Sequence, residues 1–222
     1  MVFTGKAKRM PDHGRSRERR LPERDSTRRR NPGFTLVEVL ISLVIGMVVL
    51  AALYAVFTIQ NKNFAKQEQI GEMQQIARTA MDSMAREITM AGYDPNQTTP
   101  ANAGITPTPP PSATFLSFTS DLNGDGDTAD ANESVAYAFD GANYRITRNT
   151  GGGGQPFAEN IQGLTFTYYD AAGAVTATAA DIRRIQISIT ARTGKPDPAY
   201  LANNGYRTYT LTSFVTPRNL SM

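Results

Sequence analysis

Hydrophobic and polar positions divide the chain into three stretches, each with its own period. From residue 34 to 57 apolar residues are almost continuous: the clearly polar positions are Thr35, Glu38 and Ser42, and fifteen of the 24 are Leu, Ile, Val or Phe. A run of that length predicts a membrane-spanning helix, since at about 1.5 Å per residue it covers about 36 Å. Farther on, apolar residues recur at Ile70, Met73, Ala77, Ala80/Met81, Met84 and Ile88. Steps of three and four place them on one stripe of an amphipathic helix, which Gly92 and Pro95 should stop. The stripe reads as a face packed on a sheet, or as a face offered to a partner subunit.

After residue 112 the period falls to two. Strands are expected over 113–119, 133–139, 143–148, 161–169, 182–192 and 206–216. In the fifth, Ile182, Ile185, Ile187 and Ile189 give the core face, with a slip at Arg183-Arg184. A long helix followed by strands predicts an α+β fold: one N-terminal helix, half transmembrane and half amphipathic, packed on an antiparallel sheet. The expected organisation is a basic leader over 1–33, a membrane helix over 34–57 and its amphipathic continuation over 58–92. A proline-rich loop over 93–112, without a core element, and a sheet domain over 113–222 complete it.

Charge adds direction to this layout. Of 23 Lys/Arg, eleven fall in residues 1–33, against four of the 20 acids, so 34–222 holds 12 basic and 16 acidic residues, a net of −4. A mildly acidic body argues against nucleic acid as a partner. Basic residues ahead of an apolar helix keep residues 1–33 in the cytoplasm and send the rest across the membrane. The fifteen large apolar residues favour insertion by about 4.5–9 kcal/mol. A carboxylate at the bilayer centre costs about 3 kcal/mol, less for one as near the end as Glu38. Cysteine is absent and the one histidine, His13, lies in the leader. Most hydrolytic and redox mechanisms thereby lose their usual nucleophile or proton shuttle, so an enzyme is not expected.

The junction itself is unusual. A secretory signal has a shorter apolar core followed by small residues at a cleavage site. Here the small residue, Gly33, precedes the run, and Asn31-Pro32-Gly33 should be extended and accessible to a protease. Cleavage there leaves the apolar run on the mature chain.

The segment Gly33-Phe34-Thr35-Leu36-Val37-Glu38, after a basic leader and before an apolar helix, resembles the junction of type IV prepilins and type II secretion pseudopilins. The resemblance implies cleavage between Gly33 and Phe34 by a prepilin peptidase and N-methylation of Phe34. It also implies a role for Glu38 in subunit alignment, through pairing with the N-terminal amine of a neighbouring subunit. Buried opposite charges fix register even where their net stabilisation is small. The other reading of Glu38 is a carboxylate that snorkels to the headgroups of a single-pass anchor. The proline that many major pilins carry within the anchor is missing; Ala55 sits near that place. More loosely, the sequence over 160–220 resembles PilW-type minor pilins, whose secretion counterparts are the J-type minor pseudopilins.

That resemblance implies a minor pilin that primes pilus assembly with other minor pilins and the major pilin. It would first sit in the inner membrane, a single-pass chain with a periplasmic domain, and then join the pilus at the cell surface. A secretion pseudopilin shares every residue of this reading, and an anchored periplasmic adhesin or binding module is the alternative of a different class. The leader is long, and Met10 offers a second start.

One further constellation suggests a ligand. Asp121, Asn123, Asp125 and Gly126 fall at positions one, three, five and six of a calcium loop, although Ala129 takes position nine, Asn132 takes position twelve and Glu133 comes one residue late. The candidate set is Asp121, Asn123, Asp125, Asp127 and Glu133, with Ca²⁺ as the possible cation and an empty, solvated hairpin connection as the alternative. No cofactor is otherwise required. The glycines of 150–157 lack the lysine and the spacing of a phosphate loop and read as a flexible connection.

Overall fold

The computed structural model describes residues 33–97 and 103–220. The leader expected over 1–33 therefore lies outside the described residues except for Gly33. The chain divides into two units, Met1–Ala52 and Leu53–Met222. Helix α1, Leu36–Thr89, begins in the first and ends in the second.

In the first unit, the described residues are the opening turns of α1 and the three residues before it. Every large apolar residue from Phe34 to Leu50 is between 51% and 87% exposed, so this surface needs a cover of lipid or protein.

In the second unit α1 buries the stripe the periodicity marks. Met73, Ala77, Ala80, Met81, Met84 and Ile88 are all buried, with Ile70 and Ile76 packed at the margin. They join one core with the inward side chains of the strands, so the core-packing reading of the Met-rich stripe holds. Burying one such side chain contributes about 1.5–3 kcal/mol. The helix stops at Thr89, slightly before the expected residue 92. Gly92 turns the chain with φ +77°, where a Cβ would meet Leu220 at 3.0 Å and the Asn219 carbonyl oxygen at 3.1 Å. Thr89 O, left without a helical donor, accepts the Arg218 N–H at 3.2 Å.

The strands are β1 (Gly104–Ile105), β2 (Phe115–Thr119), β3 (Ser134–Asp140), β4 (Arg145–Asn149), β5 (Gln155–Glu159), β6 (Ile161–Tyr169), β7 (Arg184–Arg192) and β8 (Thr208–Val215). All pairings are antiparallel. The single sheet expected from sequence is in fact two: one of five strands in the order β1-β2-β3-β4-β5, and one of three, β6-β7-β8. They are tied where Tyr168 Oη donates to the carbonyls of Ser112 and Phe115, at 2.9 and 2.8 Å, and Phe166 N–H donates to Ala113 O.

In β7 the alternation is strict: Ile185, Ile187, Ile189 and Ala191 are fully buried. Ile182 is buried too, but it follows a 3₁₀ turn over Ala179–Asp181, so the strand begins two residues later than expected. In β6, Ile161 and Leu164 share the core face although three residues apart. A bulge between Ile161 and Gly163 absorbs the extra residue.

Two elements differ outright from expectation. The loop over 93–112 contains β1, whose Ile105 pairs with Phe118 and is 8% exposed; a two-residue strand leaves no period to read. The glycine-rich connection ends in β5, which contains Pro156. Proline removes a ladder donor, and β5 tolerates it because it is an edge strand paired only with β4.

Candidate functional site: the helix start and the acidic loop

At Gly33 a Cβ would meet nothing within 4 Å, so the described chain gives no steric reason for glycine there. Phe34 is 87% exposed. Thr35 and Glu38 then form a reciprocal cap on α1: Thr35 N–H and Thr35 Oγ1 each donate to Glu38 Oε2 at 2.9 Å, and Glu38 N–H donates to Thr35 Oγ1 at 3.3 Å. The spacing Thr-x-x-Glu satisfies two orphan amide groups of the first turn and places a negative charge at the positive end of the helix. This capping box is a role of Thr35 that the sequence reading missed, although the pattern was visible in the sequence. Glu38 Oε2 is thus engaged within its own chain. Its Oε1 accepts no hydrogen bond among the described residues. Ser42 Oγ donates back to Glu38 O at 2.7 Å, so the first helical turns carry their polar groups internally. This helix is long and apolar enough to cross a membrane.

The acidic loop between β2 and β3 is organised around two buried carboxylates. Asp121, fully buried, accepts the N–H groups of Gly124 and Gly126. Glu133, 1% exposed, accepts those of Leu122 (2.9 Å), Asn123 (3.4 Å) and Asp130 (3.3 Å). Five backbone donors therefore converge on these two side chains and close the loop. Of the other candidate ligands, Asn123 Oδ1 accepts Asp125 N–H, Asp125 Oδ1 accepts Asp127 N–H, and Asp127 Oδ1 accepts Ala129 N–H, each folding its own turn.

Asn123 Nδ2 also bridges Asp125 and Asp130, at 3.1 and 2.7 Å. The Asp127 amide beside Asp125 holds its carboxyl below the usual range, whereas the Asp125 charge pushes Asp130 up. Asp130 was not among the sequence candidates, since it sits off the calcium-loop spacing. Among the described residues, no group of three or more acidic, His or Cys side chains converges in an arrangement able to hold a metal ion. Each carboxylate that sequence spacing offered as a ligand accepts at least one backbone donor.

Residues 28–54 match the family model described as the prokaryotic N-terminal methylation motif. No curated protein matches the chain. Among solved structures, the type IV-like pilin TTHA1219 from Thermus thermophilus aligns with a TM-score of 0.43 at 12% identity, over 67% of this chain and 98% of that one. The chain thus carries an N-terminal methylation motif, at the head of a helix long and apolar enough to cross a membrane.

Proposed function

We propose that the chain is a structural subunit of the type IV pilin kind, a minor pilin of the PilW type. A prepilin peptidase cleaves it between Gly33 and Phe34, Phe34 is N-methylated, and the processed chain waits in the inner membrane. It then joins other minor pilins and the major pilin to prime filament growth, and works without catalysis.

The observation that carries this reading is the match of the methylation motif to residues 28–54, together with the geometry at its centre. Glycine at 33 has no packing reason within the described chain, which suits a residue read by an external enzyme. Glu38 caps its own helix through Oε2 while Oε1 stays available, so the monomer can hold this carboxylate at the helix start without a partner. On assembly, an amine from a neighbouring subunit finds that acceptor at the same depth. Pairing through Oε1 leaves the local cap, worth about 1 kcal/mol, in place, while the charge pair fixes register.

The test is mass spectrometry of the N-terminus recovered from cells with an active prepilin peptidase. The expected species begins at Phe34 and carries one added methyl group. A chain that keeps its arginine-rich leader overturns the proposal.

A further inference from the structure

We propose that the second unit carries a binding site for the phosphate of an anionic phospholipid headgroup, formed by α1 and the segment between β7 and β8. The site is an open cavity of about 370 Å³, within the roughly 300–1,000 Å³ usual for small ligands. Its charged lining is Lys62, Lys66, Lys195 and Arg207 against a single carboxylate, Asp197. Four cations about one acid stand out in a body whose net charge is −4.

The cavity is built rather than incidental. Lys62, Ala65, Lys66 and Gln69 fall at helical spacing on one face of α1. Opposite them, Asp197 accepts Lys66 Nζ and Arg207 Nη2 on Oδ2, both at 3.2 Å, and Ala199 N–H on Oδ1 at 3.0 Å. The segment is fixed from behind: Thr193 exchanges backbone and hydroxyl hydrogen bonds with Arg207, Asp197 N–H donates to Gly205 O, and Asn203 and Gln162 pair amide to amide at 2.8 Å. Asp197 is thereby saturated. Lys62 and Lys195 make no ion pair among the described residues. An anion with several acceptor oxygens supplies what these donors lack, and a phosphodiester fits that chemistry.

Position selects the source of the phosphate. Lys62 and Lys66 follow Phe57, the last residue of the apolar run, by five and nine residues of helix, about 8 and 14 Å along the axis. The headgroup layer occupies about 5–8 Å beyond the hydrocarbon on each side. Helical side chains lean toward the N-terminus, here toward the membrane, which brings the ammonium groups back to that layer. The inference rests on the membrane-anchored part of the function proposed above.

The test uses the full chain in detergent micelles doped equally with phosphatidylglycerol and phosphatidylcholine, with retained lipid counted by native mass spectrometry. Two lysines near an anionic surface contribute about tenfold to binding or somewhat more. The wild type should retain phosphatidylglycerol preferentially, and K62A/K195A should lose at least tenfold of that preference, with K62R/K195R restoring it. Both lysines are exposed, so an unchanged circular-dichroism melt will confirm that the variants fold. Equal preference in wild type and K62A/K195A overturns the site. Lysine-dependent stabilisation by inorganic phosphate, without preference between the two lipids, assigns the cavity to free phosphate and overturns the lipid. Vesicle flotation separates the two proposals: a chain that floats but shows no headgroup preference defeats this inference alone, and one that does not float defeats the anchor as well.

Discussion

The contact that ties α1 to the five-stranded sheet can be tested quantitatively at Glu87. Tyr137, on β3 and fully buried, donates its hydroxyl to Glu87 Oε2 at 2.6 Å, and Arg148 Nε on β4 donates to the same oxygen at 3.0 Å. Burial first, and then the Glu87 carboxylate, push the Tyr137 hydroxyl far above its ordinary pKa, so it remains a donor at every working pH. Glu87→Ala removes the acceptor from both. Arg148 is partly exposed and can turn to water, but the Tyr137 hydroxyl is stranded in the core, at about 1–3 kcal/mol. Adding the lost charge-assisted bond, about 1.5–3 kcal/mol, gives about 2.5–6 kcal/mol in total. For a body of this size that is about 5–24 °C in Tm.

Tyr137→Phe leaves the Glu87–Arg148 pair in place and no orphan behind, so it should cost about 1 kcal/mol. The double variant is the discriminating measurement. Removing the hydroxyl from Glu87→Ala removes the stranded donor, so the double variant should be no less stable than Glu87→Ala alone. Thermal melts by circular dichroism on the full chain in detergent, with urea titrations for the free energies, will measure all four corners. Additive losses, or a Glu87→Ala variant within 0.5 kcal/mol of wild type (about the error expected for uncoupled sites), would refute the assignment of this hydrogen bond as the tie.

Other predictions follow from single geometries. Gly205 has φ +88° with Pro196 Cβ 2.9 Å from where its own Cβ would lie, so Gly205→Ala should cost about 1–3 kcal/mol and expose the 193–207 segment to limited proteolysis; an unchanged digest counts against that packing. Glu38→Ala should still yield a chain beginning at Phe34 but reduce its share in sheared filaments, measured by immunoblot, and wild-type incorporation would argue against a pairing role. Asp197 and Asp140 have carboxyls held low, chiefly by the Ala199 amide and the Asn143 side chain. Because their folded pKa values lie below those of the unfolded chain, their stabilisation is present above about pH 4 and lost as pH falls through the folded values. Tm should therefore hold from pH 7 to 5 and fall between pH 4 and 3, with Asp197→Asn flattening the fall.

Long-period features were the ones that sequence could reveal. The stripe Met73–Ala77–Ala80/Met81–Met84–Ile88 repeats over about four turns, and the three isoleucines of β7 alternate with polar residues, so both announce their buried faces. Elements set by one residue or by tertiary pairing were hidden. β1 exists because Ile105 finds Phe118, β5 because Pro156 lies on an edge, and the division into two sheets depends on where β5 and β6 part. At the helix start, Gly33, Phe34 and Glu38 drew notice through their order in the chain, while the bond from Thr35 to Glu38 needed the three-residue spacing to be read as a cap. In the acidic loop, residue type suggested a cation, while the backbone amides that bond to Asp121 and Glu133 came to light only in the fold.

The margins of the five-stranded sheet have a consequence for how copies of this molecule can meet. One border strand is two residues long, and the other is a five-residue strand interrupted by a proline. Neither border offers a continuous template for a foreign strand, so ribbon-like aggregation through this sheet is disfavoured even where the protein is crowded at a membrane surface. Ordered association at this sheet must then proceed through side chains, where sequence can choose the neighbour.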